Sequence, residues 1–147
     1  MRGLASFLVA VALALAAPVA ASLPEPVKAL ASGWHTLGSG EARFLGLRLY
    51  EAALWVGAQG YREDAPFALA LTYTRGFSRD TLVSTSLDEM RRLGGADDAR
   101  LGRWKAELER VFSDVAAGET LVGVHLPGRG AAFYHQGRLS GEVADPA

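Results

Sequence analysis

The chain has 147 residues, half of them hydrophobic, with 15 basic and 16 acidic side chains and a net charge of −1. Its charges are mixed along the chain and no basic stripe could track a phosphate backbone, so nucleic acid is not an expected partner. Cysteine is absent, which excludes disulfides, thiolate metal sites, a thiol nucleophile and a lipidated N-terminal cysteine.

Residues 1–21 read as a signal peptide. Arg2 supplies a positive start, Phe7–Ala17 is an unbroken apolar run, and Val19-Ala20-Ala21 fits small-x-small cleavage before Ser22. The run is short for a membrane-crossing helix, and an uncleaved anchor is the alternative. The expectation is a periplasmic or secreted protein with no stable membrane span after cleavage. Residues 22–147 are then long enough for one domain with its own core.

Leu23–Val27 contains two prolines and reads as an extended lead-in. Trp34–Leu37 leads to Gly38-Ser39-Gly40, a turn or bulge. Glu41–Val56 is rich in aromatic and large aliphatic residues and reads as two strand halves with a bend near Tyr50-Glu51. Gly57–Ala65 is a polar loop. Phe67–Thr74 alternates cleanly, with Phe67, Leu69, Leu71 and Tyr73 on one face and small residues on the other.

The period then changes. Ser78 can cap a helix through Thr81–Leu93, with Leu82, Val83, Leu87, Met90 and Leu93 on its apolar side and Gly94-Gly95 as its stop. Asp97 and Asp98 start a second helix, where acidic groups suit the positive end of the dipole. Its stripe is Leu101, Trp104, Leu108, Val111 and Phe112, and Ala117-Gly118 ends the segment. A three-stranded meander follows. Leu121, Val122 and Val124 suit a strand, Pro127–Gly130 a turn, Ala131–His135 a second strand, Gln136-Gly137 a two-residue loop and Arg138–Val143 a third strand. The predicted fold class is α+β: a mostly antiparallel open sheet with helices packed on one face, and an apolar cleft at the sheet–helix interface.

Candidate chemistry is sparse. If Leu126 pairs with Ala131, His125 and His135 point to opposite faces. A one-residue slip would put them on one face about four residues, or roughly 13 Å, apart. Neither register gathers a metal site, and none is expected; nor is a cofactor. No Gly-x-Ser-x-Gly elbow, Walker loop or dinucleotide-binding glycine pattern occurs. Asp88, Glu89, Glu107 and Glu109 fall on predicted outer helix faces, where solvation accounts for them. Arg43, Arg75, Tyr50 and Tyr73 remain as candidate ligand-binding residues beside the cleft. Arg binds a carboxylate bidentately and a tyrosine hydroxyl adds a hydrogen bond, although edge charges and core-rim tyrosines would look the same. No catalytic residue can be named.

Phe133-Tyr134-His135-Gln136-Gly137-Arg138-Leu139-Ser140-Gly141-Glu142 resembles the FYHNGRxxGE hairpin of bacterial chalcone isomerase-like proteins. Arg43–Trp55, Asp64–Leu69, Leu71-Thr72-Tyr73, Glu89–Arg92 and Phe112–Val115 match the same family in order, so the resemblance covers nearly all of residues 22–147. It implies an open antiparallel sheet with helices on one side and a ligand cleft between. The plant enzymes close a flavanone ring by intramolecular addition, and non-catalytic relatives bind fatty acids. The plant arginine falls near Ala31–Trp34, which holds none; the threonine position is Leu45; and the tyrosine-bearing segment resembles Gly76–Leu82, which has no tyrosine. The carboxylate-holding Arg and Tyr of the fatty-acid binders fall at the same unmatched positions, while Tyr50 matches a family tyrosine. Relatives continue past Gly141–Pro146 into a C-terminal amphipathic helix, so a fragment or shortened member is expected here. The resulting expectation is an exported, non-catalytic protein holding a small apolar or amphipathic, fatty-acid-like ligand. Its alternatives are a chalcone-type isomerase and an envelope interaction module using an exposed sheet edge.

Overall fold

A computed structural model describes residues 22–94 and 97–145. The expected signal peptide, residues 1–21, and Gly95 lie outside the described residues. Six strands form one antiparallel sheet in sequence order: β1 (His35–Phe44), β2 (Leu47–Val56), β3 (Phe67–Tyr73), β4 (Thr120–Leu126), β5 (Gly130–His135) and β6 (Arg138–Ala144). Helix α1 (Glu25–Lys28) precedes the sheet, and α2 (Arg79–Leu93) and α3 (Asp98–Val111) fill the connection from β3 to β4. The architecture is α+β with an open antiparallel sheet, as the order of apolar patterns predicts.

Glu41–Val56 does contain two strand halves, but the chain reverses at Leu45-Gly46, with Phe44 paired to Leu47. Tyr50 and Glu51 lie inside β2, so the bend expected there is displaced by five residues' worth of hairpin. Leu45 (φ 49°) and Gly46 (φ 79°) are both left-handed, the requirement of a two-residue loop whose twist matches its strands. Asn, Asp or Gly normally marks the first of these positions; a leucine there conceals the turn. β1 runs through Gly38-Ser39-Gly40, and the expected irregularity is a bulge between Thr36 and Gly38.

β3 alternates as its sequence dictates. Leu71 and Tyr73 pack beneath α2 and α3, Phe67 and Leu69 share their face, and Ala68 and Ala70 take the other. The Ser78 side chain accepts the Thr81 N–H at 3.2 Å and caps α2, which buries Leu82, Val83, Leu87 and Met90. Asp97 accepts the Arg100 N–H at 2.8 Å and caps α3, which buries Leu101, Trp104, Leu108 and Val111. These side chains close on Leu121, Ala131, Phe133 and Val143 to make the main core. Gly102 sits on the exposed side of α3, with open space where a Cβ would go. Gly102→Ala is therefore expected to stabilise the fold by about 0.5–1 kcal/mol. The check is a higher urea midpoint at unchanged slope.

The Leu23–Val27 lead-in is not fully extended. Pro24 occupies the cap and Pro26 the first turn of α1, where a missing N–H leaves no helical hydrogen bond unmade. Val27 is fully buried and Leu23 nearly so, against Ala68, Ala70, Val122 and Val124. That burial contributes about 1.5–3 kcal/mol per large side chain. Helices are thus not confined to one face: α2 and α3 share one, and α1 covers the other where two alanines of β3 leave room.

The meander has the predicted strands and turns, and of the two registers open in the sequence it takes the one that puts both histidines on one face. Leu126 pairs with Gly130, not Ala131, so His125 lies opposite Ala131 and shares a face with His135. The two imidazoles go to different partners: His125 Nε2 lies 2.7 Å from the Glu63 carbonyl, and His135 meets Ser113 and Glu119. Among the described residues no group of three or more His, Asp or Glu is placed to hold a metal, and no helix is long and apolar enough to cross a membrane.

Candidate functional site

A cavity of about 150 Å³ lies between the sheet and α2. Its origin is a run of small side chains facing large ones. Gly123 of β4 stands between Leu69 and Phe133 in the sheet and presents no side chain of its own. Across from it, Ser86 and Thr85 of α2 are short. Thr81, Thr85 and Glu89 recur every four residues along one helical stripe, with Leu82 and Ser86 beside them, so one face of α2 forms a whole wall. Val83, Leu87 and Met90 turn into the main core. Leu69, Leu71 and Leu121 supply an apolar floor, and Phe77, Phe112 and Phe133 close the sides. Phe112 meets Phe133 edge-on, with centroids 5.1 Å apart.

Polar groups gather at one end. Tyr50 and Tyr73 sit on paired strands with ring centroids 5.7 Å apart. Burial raises the Tyr50 hydroxyl above the usual phenol range, and the Glu89 charge adds to the rise. Tyr73 is raised much further, by burial first and by Tyr50 second. Both stay protonated donors at neutral pH. Ser86 is already engaged, donating to the Leu82 carbonyl at 2.8 Å. Thr81, Thr85 and Glu89 are the more exposed members and mark the mouth. Glu89 pairs on its outer side with Arg92 at 2.7 Å.

Of the four residues singled out from sequence, two meet here. Tyr50 and Tyr73 line the cavity. Arg43 lies on the β1–β2 hairpin, bonded to Glu41 and to the Gly46 carbonyl, and Arg75 is exposed beyond β3; neither is a lining residue. Sequence reasoning missed Glu89, which reads as a solvated outer residue but turns toward the cavity mouth. The signal was present: Thr81, Thr85 and Glu89 form a second stripe beside the hydrophobic one.

A second polar cluster lies outside the cavity. His135 Nε2 is 2.9 Å from Glu119 Oε1, and His135 Nδ1 is 3.2 Å from Ser113 Oγ. With the carboxylate holding one ring N–H, the other nitrogen accepts from the serine, the order of groups used to activate a hydroxyl. Glu119 Oε1 also accepts the Ala116 N–H at 2.8 Å. Ser113 and Glu119 therefore tie the connection from α3 to β4 onto β5, which is the role we assign to them. The Ala116 N–H, and then His135, hold the Glu119 carboxyl below the usual range. A folded value below the unfolded one means a stabilising contribution that is complete above the unfolded pKa and lost as pH falls through the folded one. Glu119→Gln is expected to flatten the loss of thermal stability below about pH 4. Melting curves of both proteins across that range check this.

Compared with known proteins, the chain matches no family model and no curated relative.

Proposed function

We propose that the chain binds one small apolar molecule in the cavity between α2 and the sheet. Its polar end is an uncharged or cationic hydrogen-bond donor turned toward Tyr50 and Glu89. The observation that carries this reading is the distribution of groups on the wall: mostly apolar from the sheet and the flanking phenylalanines, with the buried Ser86 hydroxyl spent on the Leu82 carbonyl and the remaining polar groups gathered toward Tyr50 and Glu89. An apolar space of about 150 Å³ takes one benzene-sized ring. A longer molecule, such as an acyl chain, would project through the mouth.

The charge at the mouth sets the ligand class. The lining carboxylate is Glu89, with Arg92 on its outer side and neither Arg43 nor Arg75 on the wall. The negative field that helps to raise Tyr50 also disfavours a ligand carboxylate. This reading therefore replaces the carboxylate expected from sequence with a phenol, alcohol or amine. The resemblance to chalcone isomerase-like proteins supports a cleft between sheet and helices, and the unmatched polarising positions support binding over ring closure. Export through residues 1–21 belongs to the same reading.

Three small aromatic ligands of different charge test it. At pH 7, p-cresol is neutral, benzylamine cationic and 4-methylbenzoate anionic. In calorimetric titrations the first two are expected to bind at least about tenfold more tightly than the anion, a difference of roughly 1.4 kcal/mol. Glu89→Gln is expected to reduce that gap to about threefold. Tighter binding of 4-methylbenzoate by the unaltered protein would overturn the assignment.

A further inference from the structure

The β1–β2 hairpin ends in an apolar tip that the core does not use. Phe44 is 64% exposed, Leu45 87% and Leu47 54%. Leu45 holds a left-handed φ of 49° at the apex, a conformation that disfavours leucine and that Asn or Gly would adopt more readily. The backbone is thus strained while a large apolar side chain is displayed to the outside.

We propose that this tip inserts into the interface of a lipid bilayer carrying anionic headgroups. Three observations choose that occupant. The tip is a convex two-residue turn, and its three side chains offer roughly 400–500 Å². A stable protein–protein interface buries ~600 Å² or more on each partner; a bilayer needs no complementary surface. Behind the tip, Arg43 and Arg48 stand opposite each other across the hairpin. Their side chains are 53% and 45% exposed, while their partners Glu41 and Glu51 are each 27% exposed. The guanidinium groups are therefore the more accessible member of each pair, next to the tip, where headgroup phosphates would meet them on insertion. Finally, Leu49 and Tyr50, which line the cavity, follow Leu47 on the same strand by two and three residues, about 7–10 Å. Insertion brings the cavity mouth to the bilayer surface, where an apolar molecule can pass between them. Docking stands on the tip itself; the transfer rests on the proposed binding function.

The test is partitioning onto vesicles of phosphatidylcholine with and without phosphatidylglycerol. It is made with the full chain and with the chain from Ser22, so that the apolar Phe7–Ala17 segment is accounted for. The protein is expected to bind both vesicle types, more tightly with phosphatidylglycerol, and that extra binding weakens with salt. Phe44→Ser and Leu45→Gly are each expected to reduce partitioning about tenfold. Leu45→Gly should at the same time raise the melting temperature by relieving the apex, so a loss of binding cannot be put down to unfolding. Phe44→Trp is expected to gain fluorescence that brominated lipid quenches, above the background of Trp34, Trp55 and Trp104. Unchanged partitioning of the tip variants, or no added quenching in Phe44→Trp, would overturn the proposal. So would a lipid-free dimer that the tip variants dissociate, since the occupant would then be a second copy. Failure of the cavity reading is separable: Ser86→Leu fills the cavity and should still bind vesicles, and Leu45→Gly should still bind p-cresol.

Discussion

Gly130→Ala is expected to destabilise the fold by about 3 kcal/mol or more, with a melting temperature lower by about 10 °C or more. A Cβ at this position would lie 2.0 Å from the Val143 carbonyl oxygen and 2.6 Å from the Asp145 nitrogen. Both are backbone atoms, one in β6 and one just past its end, with no side chain to swing aside. The residue also has φ +127°, outside the range a side-chain-bearing residue adopts without strain. Relief would require β6 to move off β5 and with it Val143, which is 1% exposed in the main core. Gly128→Ala, two residues away in the same turn, separates the two effects. Its φ is +73° and nothing lies within 4 Å of a Cβ there. It should cost about 1 kcal/mol, the conformational penalty alone. Equal melting temperatures for the two variants would mean that β6 does not approach Gly130 as described.

Ser86→Leu is expected to separate stability from binding. Ser86 is buried, lines the cavity and bonds the Leu82 carbonyl within its own helix. Losing that bond strands no partner, because the carbonyl lies within the α2 hydrogen-bond ladder. Leucine favours helix more than serine does and places an apolar branch in the empty space. Cavity filling of this kind holds or raises stability, by up to about 1–2 kcal/mol. Binding of a ring-sized ligand should fall about a hundredfold, because the same space cannot hold both groups. Calorimetric titration with p-cresol, alongside a melting curve, reads both quantities. A stable variant that binds p-cresol normally would place the ligand elsewhere.

What could be read from the residues was whatever depends on near neighbours. Phe67–Tyr73 alternates because its large side chains share the face on which α2 and α3 pack and its alanines face a close-lying third helix, and period two survives in the sequence. Ser78 and Asp97 sit where caps belong, and Gly94 where a helix stops. The hairpin at Leu45-Gly46 escaped because its residue types contradict its conformation. Leucine in a left-handed apex carries no turn signal, and Tyr50-Glu51 offered a more conventional break. Helix α1 escaped because two prolines suggest extended chain unless both fall in the cap and first turn, which Pro24 and Pro26 do. The sequence left two registers open for β4 on β5, and the pairing of Leu126 with Gly130 decides between them.

The site divides along the same line. Tyr50 and Tyr73 were identifiable because strand tyrosines beside a sheet–helix interface have few other places to go. The arginines were not, because Arg43 is satisfied by Glu41 and its own hairpin while Arg75 lies beyond the strand end. Glu89 needed the helix orientation, and the link from Ser113 through His135 to Glu119 needed three separated segments brought together.

The most direct test of the central claim is to locate p-cresol on the protein by intermolecular nuclear Overhauser effects. The expected result is saturable binding of one molecule per chain. Contacts should run from the ligand ring and methyl to the Leu69, Leu71, Leu82 and Phe133 side chains, with the hydroxyl end nearest Tyr50. Contacts confined to the α1 face, around Trp34 and Trp55, or shift changes that never saturate, would contradict it.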